Sequence, residues 1–254
     1  MGHRSAIAGI PVYVISLEDS ETRRRNMTER LGTLGIPFQF VDAIDGRTQR
    51  LADVFDGSRV VRDGFQSEAE IACAMSHRLV HRLIMDGDSE LALIFEDDAD
   101  PSPDFPEALA LAKRLRFDIL KFEGGAWGRR ARIGTIGKFA VMAGTPSLGS
   151  AAYLIHRSAA ARFCTLPVVD KPIDVAFGDL RLQLRVLDLE PYPVKQDRLP
   201  TQTALQPLPR ALAPPLGGLT RLALSVRKRA MFVRLYGLWA AIKMDSARIT
   251  GNKL

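Results

Sequence analysis

The stretch that most constrains this fold is the first fifty residues, where two apolar runs flank a segment with helical periodicity. "IPVYVISL" (10–17) is β-branched, aromatic and almost continuously apolar, as a strand buried on both faces must be. The polar segment after it carries Met27, Leu31 and Leu34 at helical spacing and stops at Gly35. "IPFQFVDAIDG" (36–46) then predicts a second strand closed by a turn. Strand, helix and strand this close together form a βαβ unit, which calls for a parallel sheet covered by helices.

The rest of the chain continues in that style. "SEAEIACAMSHRLVHRLIMDG" (67–87) opens on Ser67 with Glu70 three residues later, the pattern of a capping box, and ends at Gly87. "LALIF" (91–95) predicts a strand, 103–116 a helix, 117–124 a strand, and 150–167 a strand followed by a short helix opened by Ser158. Residues 170–194 predict a helix, a strand and an extended Pro-containing segment. Residues 47–66 read as a loop, and the Gly-rich 124–150 as loops with a hairpin. At 254 residues, 46% hydrophobic and 25% charged, the chain fits one large α/β domain, or a domain with an appendage. The apolar N-terminal stretch reads as a strand rather than a signal peptide, because Pro11 interrupts it and no small-residue cleavage site follows. With only Cys73 and Cys164, no disulfide framework is indicated, and a reducing, cytoplasmic setting is expected.

Chemistry concentrates in "LALIFEDDADP" (91–101), where Glu96, Asp97, Asp98 and Asp100 follow an apolar strand with no neighbouring cation. In open α/β sheets, ligands bind outside the carboxyl ends of the strands. Hard carboxylate oxygens there suit Mg²⁺ or Mn²⁺ together with substrate phosphates. The same acids also fit a helix N-terminus or a solvated turn, most of all Asp104 and Glu107.

At this point the sequence resembles glycosyltransferase family 25, the lipopolysaccharide and lipooligosaccharide glycosyltransferases. The resemblance is carried in order by "VISLEDSETRRRNMTERLGTLGIPFQFVDAIDGR", "SEAEIACAMSHRLVHRLIMDGDSELALIFEDDA", "GSAAYLIHRSAAARFC" and "DKPIDVAFGD". Ser16 stands where the family usually has Asn, and Ala72 where it usually has Gly. The resemblance implies a GT-A-like α/β fold, a Rossmann-like mixed sheet flanked by helices, and transfer of a sugar, galactose being one candidate, from a nucleotide-diphosphate donor such as a UDP-sugar. Its implied donor site comprises Ser16, Leu17, Arg23, Asp42, Ala43, Asp45, His77, Glu96 and Asp97. Mn²⁺ or Mg²⁺ would be held by Asp98, with Asp100 as a possible second ligand. The residues alone leave alternatives open. Arg23 suits a diphosphate or a solvated helix face; Asp42 and Asp45 suit a ribose or a turn; His77 suits the site or the core. His77 and His81 also form an i,i+4 pair able to bind a metal. An inverting transfer needs a general base on a segment other than the metal motif. Asp174 is expected in that role with Asp179 second, and the alternative for Asp174 is a carboxylate at a helix N-terminus.

Residues 205–254 read as a second region, a Pro-rich linker and a basic helical tail after a domain spanning 1–204. Residues 201–254 hold nine Lys/Arg and one acid, while the rest of the chain is near neutral. Such a tail calls for an anionic partner. The expected one is the inner face of a bacterial membrane bearing a lipid-linked saccharide acceptor, with Phe232, Tyr236 and Trp239 as interfacial contacts. Nucleic acid is not expected, since no nucleic-acid-binding fold precedes the tail. Three other readings compete: a nucleotide-sugar-binding protein without transferase activity, a basic-tail nucleic-acid- or membrane-binding protein, and a nucleotidyltransferase. The last lacks the Gly-rich phosphate loop after the first strand, where "LEDSETRRR" stands.

Overall fold

A computed structural model describes residues 9–47, 50–125, 130–197 and 230–237. Its centre is an eight-stranded sheet of order β2-β1-β5-β10-β7-β12-β9-β8. These strands are β1 (Val12–Ser16), β2 (Gln39–Asp42), β5 (Leu91–Glu96), β7 (Ile119–Lys121), β8 (Arg130–Ile136), β9 (Phe139–Gly144), β10 (Ala152–His156) and β12 (Val186–Glu190). β1 runs parallel to β2 and β5, and β7 parallel to β12. β10 lies between β5 and β7, antiparallel to both. The carboxyl ends of β1, β2, β5, β7 and β12 therefore share one edge, and β10 enters the sheet from that edge. This mixed sheet, flanked by helices, is the α/β architecture anticipated.

Alternation along the strands assigns the two faces. Val12, Val14, Leu93, Phe95, Leu120, Ala152 and Leu154 pack with Met27 and Leu31 of α1 (Glu21–Thr33) and with Phe105, Ala108 and Leu109 of α3 (Phe105–Ala112). Tyr13, Ile15, Ala92, Ile94, Ile119, Tyr153 and Ile155 face α2 (Glu68–Asp86), α4 (Arg157–Cys164) and the one-turn α5 (Ile173–Ala176). Each buried Leu, Ile or Phe contributes about 1.5–3 kcal/mol, so this two-layered cover accounts for most of the driving force. As the capping-box pattern predicted, Ser67 caps α2, its hydroxyl accepting from the Glu70 N–H at 3.2 Å. The return bond lands one residue earlier, the Gln66 N–H donating to Glu70 at 2.7 Å. α4 begins one residue before Ser158, with His156 at its N-cap.

Residues 47–66, read as a loop, contain β3 (Val54–Phe55) and β4 (Ser58–Val60), which join β11 (Val168–Val169) in a small sheet. Arg78 of α2 docks that sheet, donating to Ser58 Oγ and to the Phe163 and Cys164 carbonyls, each at 2.6 Å. A two-stranded pair, β6 (Ala99–Pro101) and β13 (Val194–Gln196), sits beyond β5.

The basic tail is not wholly separate from the domain. Residues 230–236 form a helix whose Phe232 is buried with the α1 and α3 layer. The Tyr236 hydroxyl bonds to both backbone groups of Val186, at 2.8 and 2.7 Å. Both aromatics are therefore committed to the sheet rather than free to meet a lipid surface. Trp239 lies outside the described residues.

Candidate functional site

The residues implicated by sequence converge on the carboxyl edge, in linked clusters. At the end of β1, the Ser16 hydroxyl donates to Asp97 Oδ2 at 2.8 Å, and Arg23, from the first turn of α1, donates to Oδ1 at 2.8 Å. Both Asp97 oxygens are thus engaged. Arg24, one residue on, ties the backbone instead: it donates to the Leu17 and Ser16 carbonyls at 3.1 and 3.0 Å, pairs with Asp42, and lies over the Phe40 ring. The Ala43 N–H donates to the Ser16 carbonyl at 2.9 Å. The loop after β2 is held by the Ser76 hydroxyl, which accepts from the Ile44 N–H. Asp42 lies on the exposed rim, and Asp45 chelates Arg47 through both oxygens. Asp45 thus fills the turn-forming role.

Beneath this rim lies a buried polar chain. Glu96 accepts from the Ser150 hydroxyl at 2.5 Å and lies 3.2 Å from His77 Nε2. The Tyr153 hydroxyl stands between His77 Nδ1 (2.8 Å) and His81 Nε2 (3.0 Å). Because Glu96 is an acceptor, His77 donates from Nε2; its Nδ1 then accepts from Tyr153, whose oxygen accepts from His81. This order leaves His81 Nδ1 as a buried acceptor, and among the described residues it has no partner. Burial, then the neighbouring His77 and Arg78, keep His81 well below the ordinary histidine range, hence neutral. Its nitrogens do not join His77 in a metal pair. Burial alone would raise Glu96, but the hydrogen bonds from His77 and Ser150 and the positive Arg23 bring it below its ordinary value.

Asp98 differs from its neighbours. Its Oδ2 accepts from Gln196 Nε2 at 2.9 Å, while Oδ1 is buried with no hydrogen-bond partner among the described residues. Burial, reinforced by Glu96 and Asp97, pushes its carboxyl up to about 7. An acceptor-only oxygen left in that state is completed by a proton or a cation. Asp98 therefore fits the expected hard divalent ion, whereas Asp100 does not. The latter is half-exposed beyond the strand end, 3.5 Å from Arg30 of α1. Among the described residues, one group of three gathers ligand atoms within 4.8 Å: Cys73, His77 and Glu96. Its thiol and imidazole suit a softer ion than Mg²⁺ or Mn²⁺.

The two candidate bases separate as well. Asp179 is clamped by Lys171 at 2.6 Å and Arg181 at 2.5 Å. Burial opposes the effect, but those bonds hold its carboxyl down at about 2, far too acidic to take a proton at neutral pH. Asp174 opens α5 and accepts the Gly149 N–H at 2.9 Å and the Val175 N–H at 2.8 Å, combining a helix N-terminal role with a loop tie near the site.

Several groups at this edge escaped sequence reasoning. Glu123, just past β7, is 7% exposed and accepts the Ala151 N–H at 3.2 Å. Burial pushes its carboxyl up to about 7; Lys121 pulls against this, and Glu96 and Asp174 add to it. Its one signal was an acid ending an apolar run in "FDILKFEG", the arrangement that marked Glu96. Behind it, fully buried Lys121 donates to Ser147 Oγ at 2.7 Å and to the Ser147 carbonyl, and Ser147 donates to Asp188 of β12. This network fixes the loop leading to Gly149 and Ser150.

Residues 9–127 match the family model described as Glycosyltransferase family 25 (LPS biosynthesis protein). A putative glycosyltransferase of Haemophilus influenzae is 29% identical over 177 residues, 66% of this chain and 61% of that protein. The lacto-N-neotetraose biosynthesis glycosyltransferase LgtE of Neisseria meningitidis serogroup B is 33% identical over 101 residues, 39% of this chain and 35% of that protein. The chain thus spans less than two thirds of the length of these relatives. Among solved structures, A197 from STIV overlays with a TM-score of 0.43 at 11% identity, covering 70% of this chain and 80% of that one. The matched residues 9–127 include Ser16, Arg23, His77, Glu96, Asp97, Asp98 and Glu123; Ser150 and Asp174 lie beyond them.

Proposed function

We propose that this chain, whose residues 9–127 match the glycosyltransferase family 25 model, is a member of that family and transfers a hexose from a nucleotide-diphosphate sugar to a saccharide of a bacterial lipopolysaccharide or related surface glycan. The observation that carries this reading is Asp98: a buried carboxylate with one oxygen unpartnered among the described residues, beside an Asp97 already locked by Ser16 and Arg23. In the proposed complex, Asp98 holds Mg²⁺ or Mn²⁺, which supplies charge neutralisation for the departing diphosphate. The Ser16–Asp97–Arg23 cluster and the rim carboxylate Asp42 frame the nucleotide. Ser150 and His77 keep the Glu96 carboxylate from turning toward Asp98. In an inverting transfer, a carboxylate from the β7–α5 side of the edge accepts the proton of the acceptor hydroxyl. The new O–C1 bond forms as the C1–O(phosphate) bond breaks, its electron pair leaving with the diphosphate.

An anionic membrane surface remains part of the proposal through charge alone, since Phe232 and Tyr236 are spent on the sheet. Each Lys or Arg near such a surface contributes about 1 kcal/mol, so several cations suffice for reversible attachment. No helix among the described residues is long and apolar enough to cross a membrane.

The test is a panel of nucleotide sugars, UDP-sugars first, incubated with the full chain and Mn²⁺ or Mg²⁺. Expected are slow hydrolysis of one donor and faster consumption when an oligosaccharide acceptor is added. Binding without consumption would favour the reading of a nucleotide-sugar-binding protein, and neither binding nor consumption would refute the family's chemistry for this chain. Co-sedimentation with anionic but not neutral vesicles at low salt checks the surface contact.

A further inference from the structure

Two carboxylates approach the loop between Ser147 and Ala151. Gly149 lies between them. Its N–H donates to Asp174 Oδ2 at 2.9 Å, and a methyl group on its α-carbon would run into both oxygens of Glu123. Asp174 is occupied by structural work, each oxygen receiving a backbone N–H from Gly149 or from Val175 of its own helix. Glu123 is not so occupied. Its Oε2 accepts one N–H, from Ala151, and among the described residues Oε1 has no hydrogen-bond partner.

Position adds to this. Glu123 follows β7, which is separated from β5 and its Asp97–Asp98 pair by β10 alone. The site edge thus carries a nucleotide-facing group of acids and, one strand further over, an acid belonging to a different segment. That separation is what an inverting displacement demands of its base.

We propose that Glu123 is the general base of the transfer, accepting the acceptor hydroxyl proton at Oε1, while Asp174 holds the 147–151 loop in place. This rests on the transferase reading above. The proton passes from the acceptor oxygen to the carboxylate as that oxygen bonds C1 and the diphosphate departs, so no further reactant is needed. The groups bearing on Glu123 are Lys121 from its own strand, Glu96 from β5 and Asp174 from α5; with burial, they set its carboxyl near neutrality, where a base is most effective.

The experiment compares wild type, Glu123→Gln, Glu123→Asp and Asp174→Asn on the donor that wild type consumes. Turnover is measured alongside calorimetric binding of the matching nucleoside diphosphate. Glu123→Gln should lose roughly 10² to 10⁴ in kcat with nucleotide Kd unchanged. Glu123→Asp should retain part of the activity, with the acidic limb of its pH profile moved. Asp174→Asn should keep turnover within about tenfold and lose it mainly through a lower melting temperature. Wild-type-like kcat in Glu123→Gln, or nucleotide affinity falling in step with turnover, overturns the assignment while leaving the transferase reading intact. A wild type that binds nucleoside diphosphate but consumes no donor overturns both.

Discussion

Glu123→Gln should make the protein more stable above neutral pH, and the gain can be worked from the site. The folded carboxyl stands at about 7 against an ordinary value of 4.5. A raised carboxyl means that the folded state holds its proton more tightly than the unfolded chain. The associated stability is therefore fully present below pH 4.5 and is lost as pH rises through 7. At about 1.4 kcal/mol per pH unit, the charged side chain costs the fold about 3 kcal/mol by pH 8. Gln has the same shape, keeps an oxygen for the Ala151 N–H and carries no charge. Its amide N–H groups need acceptors and will take back about 1 kcal/mol. The net gain of about 2 kcal/mol should raise Tm by roughly 4–8 °C in a chain of this size. Melting both proteins by calorimetry at pH 4.5, 6 and 8 is the check: the variant should melt slightly lower than wild type at the lowest pH, cross it as pH rises, and melt higher at pH 8. Parallel behaviour across pH, or a less stable variant at pH 8, would refute the claim that burial of charge is what sets this carboxyl.

Other outcomes follow from the same contacts. Tyr153→Phe removes the hydroxyl between His77 and His81 and strands two buried ring nitrogens, which should cost about 2–5 kcal/mol in a denaturant titration; an unchanged midpoint would show that the bridge contributes nothing. Asp98→Asn should abolish metal-dependent turnover yet melt cooperatively, whereas Asp104→Asn, altering an exposed partner of Lys138, should behave as wild type in the same assays. Asp179 is held at about 2, so its stabilising contribution is present above pH 3.8 and lost as pH falls through 2. The Tm gap between wild type and Asp179→Asn should accordingly be open at pH 7 and close in that acid window.

The βαβ opening was legible because a β-branched run and the helical spacing of Met27, Leu31 and Leu34 each carry a local signal, and both survive in β1 and α1. The acids after β5 were legible for a different reason: a row of like charges behind a buried strand demands an explanation. The direction of β10 was not legible, since "AYLIH" reads the same whichever way it pairs. The small β3–β4–β11 sheet is built from strands of two and three residues, too short for any periodicity. Glu123 stood alone where Glu96 stood in a row, so only its burial distinguishes it. Asp179 looked like a base because its two cations, Lys171 and Arg181, flank it at spacings with no regular pattern. Phe232 and Tyr236 looked like membrane anchors for the same reason that they pack well: both uses call for aromatics one turn apart on a helix.

The reversed strand has a consequence for how the protein is made. β10 is synthesised after β7 but lies between β5 and β7, so the two halves of the sheet share no hydrogen bonds until residue 156 has left the ribosome. A nascent chain ending at residue 127, the span that matches the family, presents the bare edge of "LALIF" on one piece of sheet and that of "ILK" on another. Unpaired apolar edges of this kind invite pairing between chains. The span that matches the family model is therefore not a unit of folding. Any shortened version meant to stay soluble must run at least through β10, and through β12 if β7 is to gain its other neighbour.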